Sequence, residues 1–195
     1  MTAGLLTKKW HDGCHTHPCS ETRYIDSVLN ELEACTFLPT PADQALCWAQ
    51  ARKRHEAARH NRELKYAGDG LLIHFQGALC ELGTARCLRL KFELTLNTYR
   101  LPDLPFDIEV KGHTQYGGHL LVPKDQPDHH KMVLAITDRT GSRVYVAGWI
   151  YAAEAKSFLL IDPGGYDRQR GHAPRVHGVP QSDLRPIKEL RELCR

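Results

Sequence analysis

The spacing of apolar positions is helical through the first half of the chain and drops to two in the second. Between Ser20 and Phe37 the apolar residues Tyr24, Ile25, Val28, Leu29 and Leu32 recur at helical spacing, with Ser20 as cap and Pro39 and Pro41 just beyond. Thr40-Pro41 opens a second predicted helix running through Tyr66. Its apolar face is thin (Leu46, Trp48, Ala49, Ala57), its middle is rich in Arg, Lys and His, and Gly68-Asp69-Gly70 breaks it. Phe75, Ala78, Leu79, Leu82 and Ala85 then form one stripe and predict a core helix over 71–86. From Leu88 the pattern alternates. Leu88, Leu90, Phe92, Leu94 and Leu96 interleave with Arg89, Lys91, Glu93, Thr95 and Asn97, the mark of a half-buried strand. Further strands are predicted over 106–112, 118–123, 131–137 and 143–151, with a turn at 138–141 and short helices over 152–160 and 184–193. Helices first and strands after predict an α/β or α+β domain built on one sheet. A helical region, residues 1–68, precedes a core domain, residues 69–195.

Composition narrows the class. With 42% hydrophobic and 25% charged residues among 195, the chain is a globular protein and not a disordered one. Its apolar runs are too short to span a membrane, and its first residues lack the apolar segment of a secretory signal, so a soluble, cytoplasmic protein is expected. A net charge of +3 is too mild to name nucleic acid as the partner. Seven cysteines, an odd number scattered along the chain, are expected to be reduced thiols.

The most informative stretch runs from Leu101 to Gly112. In an extended chain Asp107, Glu109 and Lys111 project to one side, and Ile108 and Val110 to the other. A strand that buries Ile108 and Val110 therefore presents two carboxylates and an ammonium in a row. Asp103 lies just upstream, after Pro102, where a loop can fold it back toward Glu109. Oxygen ligands in this arrangement suit Mg²⁺, with Mn²⁺ as substitute. A lysine two residues beyond the ligand Glu can orient water or stabilise developing negative charge.

Pro102-Asp103, a five-residue gap, and Glu109-Val110-Lys111 resemble the signature of the PD-(D/E)XK, or restriction-endonuclease-like, nuclease superfamily. The family usually carries a further Glu on the helix before the motif, and Glu81 in Gly77-Ala-Leu-Cys-Glu-Leu-Gly83 matches it. Val146–Ile150 with Ala153–Lys156, and Val179–Leu184, look similar to phage-encoded nuclease-like proteins. The resemblance covers roughly residues 70–185. It implies a central mixed β-sheet flanked by helices, a DNA substrate and metal-dependent phosphodiester hydrolysis, in the host-cell cytoplasm if phage-encoded. Asp103 or Asp107 would bind metal with Glu109, Lys111 would position water or stabilise charge, and Glu81 would be an accessory ligand or base. Two copies could pair to cut both strands of a duplex, as a homodimer. A non-catalytic nucleic-acid- or protein-binding module retaining the fold is the competing class.

Other features carry less. Among His113, Gln115, Tyr116 and His119 near the motif strand, His119 in Gly117-Gly-His-Leu-Leu121 is the one candidate for phosphate contact or proton transfer. His129-His130 reads as solvated. His11, Cys14, His15, His17 and Cys19 form a leader with zinc-type ligands, for which only Cys35 or Cys47 offers a downstream mate. Basic residues cluster at Arg52, Lys53, Arg54, His55, Arg59, His60, Arg62 and Lys65. A second group is Arg168, Arg170, His172, Arg175 and His177; either could neutralise phosphates.

Overall fold

Residues 35–60, 70–93, 101–161 and 175–195 are described by a computed structural model. The elements follow in the order β1 (Cys35–Phe37), α1 (Pro41–His60), α2 (Gly70–Leu88), β2 (Ile108–His113), β3 (Leu120–Pro123), β4 (Lys131–Thr137), β5 (Val144–Tyr151), α3 (Ala152–Ala155), β6 (Leu160–Ile161), β7 (Val176–Val179) and α4 (Ile187–Leu193). The main sheet has the strand order β1-β5-β4-β2. Its β2–β4 pair is parallel and its other pairs are antiparallel, so the sheet is mixed and helices flank it, as expected for an α+β domain. The expectation of one sheet is corrected: β3, β7 and β6 form a second, antiparallel sheet. The reason is non-local, since β3 finds its partner in Val176–Val179, a stretch too short to announce itself as a strand.

Two apolar clusters lie on opposite faces of the main sheet, and β4 serves both. Val133 and Ala135 enter the cluster shared with α1, α2 and α4, whereas Met132, Leu134 and Ile136 enter the one shared with β3 and β7. This is period-two alternation with both faces buried. In β5 the parity reverses midway: Val144 and Val146 face the helices, and so does Trp149. The extra residue is absorbed at a bulge, where Leu134 pairs with Gly148 and Ala135 with Val146. Gly148 has φ 157°, and a Cβ there would stand 2.7 Å from the Arg185 carbonyl oxygen. Glycine lets the segment leading to α4 cross close by, held by hydrogen bonds in both directions between Trp149 and Arg185.

α2 is the central helix. Its predicted stripe, Phe75, Ala78, Leu79, Leu82 and Ala85, is buried, and full burial of leucines such as Leu79 and Leu82 contributes ~1.5–3 kcal/mol each. Gly83 lets it approach β5, because a Cβ there would lie 2.7 Å from Cγ1 of Val144. α1 begins at the predicted Thr40 cap, where Thr40 Oγ1 accepts from the Asp43 N–H and the Asp43 carboxylate accepts from the Thr40 N–H. The face it buries differs from expectation. Cys47, Gln50, Ala51 and Ala58 are buried and Leu46 is exposed, because the inward stripe runs 47, 51, 54, 58 and passes through Arg54.

Three further expectations are corrected. Cys35–Phe37 is a strand on the edge of the main sheet, paired with β5, where the end of a helix was predicted; residues 20–34 lie outside the described residues. Residues 89–93 carry no strand. α2 runs on to Leu88 and closes with Arg89 at φ 61°, where the Leu90 N–H reaches the Ala85 carbonyl at 2.8 Å. Leu90 and Phe92 still pack on the core while Arg89, Lys91 and Glu93 face out, so the alternation reports burial without a ladder. Finally, Cys35 and Cys87 form a disulfide between β1 and the end of α2, with Cα atoms 5.9 Å apart, where reduced thiols were expected. Fifty-two residues separate the two, and only the packing of β1 beside α2 brings them together. Of the expected division at residues 68/69, the boundary itself lies outside the described residues; β1 and α1 share one sheet and one apolar cluster with the elements that follow. Among the described residues no helix is long and apolar enough to cross a membrane.

Candidate functional site

The turn before β2 shapes the site. Leu104 and Ile108 form an isolated antiparallel bridge, with the Leu104 N–H donating to the Ile108 carbonyl at 3.0 Å, and the chain doubles back within four residues. Phe106 and Asp107 sit at its apex with φ 64° and 58°, a left-handed conformation rare for residues with a Cβ. The doubling back returns Asp103 alongside β2, where its Oδ2 accepts from the Val110 N–H at 2.8 Å. Along β2, Ile108 and Val110 are buried while Glu109 and Lys111 are half-buried on the other side, and Lys111 Nζ donates to Glu109 Oε1 at 2.8 Å.

Glu81 comes from α2 and is 7% exposed. A bare carboxylate at that depth would be strongly disfavoured. Arg54 of α1 meets it with both guanidinium nitrogens, Nη1 to Oε1 and Nη2 to Oε2, each at 2.6 Å. The sequence alone placed Arg54 in a basic cluster that could neutralise phosphates. The signal it left is the stripe 47, 51, 54, 58, in which the other three residues are small and apolar.

These side chains share one electrostatic neighbourhood. The Asp103 carboxyl is pushed up to about 7, first by burial and then by the charges of Glu81 and Glu109; the Val110 N–H and Lys111 pull it partly back. Arg54 in turn feels Glu81 and Asp103. Among the described residues, these three carboxylates face two cations, Arg54 and Lys111. The donor set is all oxygen, and a hard divalent ion would relieve the repulsion that raises Asp103. The charges of Glu81, Glu109 and Lys111 all reach Asp103.

Asp107 belongs elsewhere. Its left-handed backbone places it in the turn before β2, and its neighbour His130 also feels the charges of Glu109 and Lys111. Asp107 is exposed, and its carboxylate lies with ring nitrogens of His129 and His130 in a group whose atoms are all within 4.8 Å of one another. The reading of His129-His130 as solvated is corrected for His130, which is 7% exposed. Nothing in the sequence announced the trio, because the 22 positions from Asp107 to His129 match no ligand spacing.

His119 is exposed at the start of the second sheet, beside Gly178, and among the described residues no hydrogen bond or ion pair joins it to the carboxylate group. His113 turns its ring toward Gly118 and accepts from the Gln115 N–H at Nδ1. His177 is no part of a basic surface: it is 8% exposed and its Nδ1 bonds the Phe158 carbonyl at 2.8 Å. Arg52, Lys53 and Arg175 face solvent, whereas Arg62, Lys65, Arg168, Arg170, His172 and the leader from His11 to Cys19 lie outside the described residues. Neither cysteine suggested as a mate for that leader is open to it, as Cys35 is disulfide-bonded and Cys47 is buried with its thiol pushed up to about 12 by burial.

Compared with protein-family models, with curated proteins and with solved structures, the chain matches none of them.

Proposed function

We propose that the protein is a metal-dependent nuclease that hydrolyses phosphodiester bonds of DNA. One observation carries this reading: the Asp103 carboxyl, beside Lys111, is pushed up to about 7, first by burial and then by the charges of Glu81 and Glu109, which come from a helix and a strand. Asp103 and Glu109 would hold Mg²⁺ or Mn²⁺, with Glu81 behind them. Such an ion supplies an acidified water and neutralises charge on the phosphodiester.

The remaining work belongs to the chain. The Val110 N–H fixes one oxygen of Asp103 and leaves the other for an ion. Lys111, held by Glu109 and about one-third exposed, can swing its ammonium to a phosphate oxygen or an attacking water. Arg54 gives Glu81 a countercharge and fixes its direction. Arg52 and Lys53, exposed on the same helix, offer phosphate contacts outside the site.

The test is Mg²⁺-dependent cleavage of plasmid and single-stranded DNA. Glu109→Gln and Lys111→Ala should each lose about 10²-fold or more of the wild-type rate. Equal activity in all three proteins would mark a contaminating nuclease and overturn the reading. A second reading, a non-catalytic nucleic-acid- or protein-binding module, is favoured by the two-point clasp of Arg54 on Glu81, which satisfies that carboxylate without an ion. DNA binding by wild type with no metal-dependent cutting would select it.

A further inference from the structure

Parallel pairing makes a second site at the same edge of the sheet. Ile108 of β2 stands opposite Lys131 of β4, so the residues just before the two strands, Asp107 and His130, come side by side. The approach is fastened twice: the Lys131 N–H donates to the Asp107 carbonyl, and Lys131 Nζ to the Phe106 carbonyl, both at 2.8 Å. The opposite bank is a tight turn, closed by the His130 N–H on the Pro127 carbonyl at 3.1 Å. α3 clamps that turn, since the N–H groups of Ala152 and Ala153 donate to the carbonyls of His130 and Asp128, and Lys156 donates to the Gln126 carbonyl and the Asp128 carboxylate.

We propose that Asp107, His129 and His130 bind a transition-metal ion of the zinc class, at a site adjoining the carboxylate group around Asp103 but with its own donors. Their donor atoms lie within 4.8 Å of one another. Two ligands at about 2.0–2.1 Å from a zinc ion stand up to roughly 4 Å apart, so closure needs only small rotations of the exposed Asp107 and His129 side chains. The Gln126 amide lies 2.7 Å from Nδ1 of the buried His130 ring; turned so that its oxygen accepts the Nδ1–H, it leaves Nε2 to ligate. A ring N–H donated to such an acceptor is the usual support of a metal-bound histidine. The chemistry separates the two sites. Two imidazoles and one carboxylate prefer zinc, cobalt or nickel, whereas the all-oxygen group around Asp103 prefers magnesium. With two of three ligands exposed, the ion would be reached from solvent and would keep room for water.

The experiment is titration of the metal-free, full-length protein with Zn²⁺ by calorimetry and with Co²⁺ by visible absorption. Asp107→Asn and His129→Ala are informative because both positions are exposed, and Asn accepts the left-handed backbone at 107. Circular dichroism of each variant confirms the fold. One equivalent should be lost or weakened by more than about 100-fold in either variant, since a direct ligand outweighs the outer-shell partners whose loss costs roughly 10–100-fold. The same equivalent should persist in Cys14→Ser/Cys19→Ser, which disarms the N-terminal leader, and in Glu109→Gln. Unchanged affinity in Asp107→Asn and His129→Ala, or loss of the equivalent in Glu109→Gln, would overturn the proposal. Absence of DNA cleavage by a wild type that still binds zinc here would sink the nuclease reading alone.

Discussion

Two charged groups flank the Phe106–Asp107 turn, and they are built in opposite ways. Around Asp103 the carboxylates are buried (Glu81) or half-buried (Asp103, Glu109), come from three elements and have Arg54 and Lys111 as countercharges. Around Asp107 the three groups sit on two strand-entry turns and two of them are exposed; the charges of Glu109 and Lys111 reach His130 from next door. Burial makes the first group costly and self-balancing. Exposure makes the second cheap to form and open to an ion. A charged cluster inside a protein must be read together with what neutralises it, whereas one at the rim is defined by which donors the backbone aligns.

The hardest blow to this contrast is Arg54→Ala. It leaves Glu81 buried without its partner and should cost about 3 kcal/mol, read as a lower urea midpoint, while zinc affinity at the rim stays unchanged. Exchanging both members for apolar residues, Arg54→Met with Glu81→Leu, should recover most of that loss. A small effect of Arg54→Ala would mean that Glu81 is solvated, and the two groups would no longer differ in kind. Next comes Gln126→Leu, which frees the His130 ring; zinc should bind roughly tenfold more weakly by calorimetry, with little change in urea midpoint.

Asp103→Asn sharpens the comparison from the other side. Removing one of three crowded carboxylates should raise the stability of the metal-free protein at pH 8 by about 1 kcal/mol, while abolishing Mg²⁺-dependent cleavage. Asp107→Asn should leave that stability flat. The smallest effect lies at Asp138, remote in role from both groups. Partial burial there tends to raise its carboxyl, but donors from Ser142, Thr140 and Gly141 outweigh it and hold the group below its usual 3.8. A depressed folded value adds stability above pH 3.8 that is lost as pH falls through and below it. Asp138→Ala should therefore lower stability at pH 7 by about 0.5–1 kcal/mol and flatten the acid limb of a stability profile, the correction to subtract before comparing the two groups in acid.

Much of the fold was legible because burial writes a local period. The α2 stripe, β4 and β5 are where the pattern puts them, and Ile108 and Val110 are buried opposite Glu109 and Lys111. The same signal misled at 89–93. Leu90 and Phe92 do alternate into the core, but a strand also needs a partner, and alternation says nothing about partners. It misled again on α1, where Trp48 and Leu46 outshone the small inward residues. An arginine on that stripe reads as solvent-facing unless the carboxylate it will meet is known.

The chain's own order of residues determined what short-range geometry controls: helical and extended periods, the Thr40 cap, the turn at Asp138, and the charges that share a side of β2. Tertiary structure alone decided that Arg54 clasps Glu81, that Asp103 returns to Val110, that Asp107 leaves its neighbours for two histidines, and that Cys35 meets Cys87. The physical reason is that closing a loop costs only logarithmically more as it lengthens, so a partner 7, 22 or 52 residues away is chosen by packing and charge in the folded state and leaves no periodic trace.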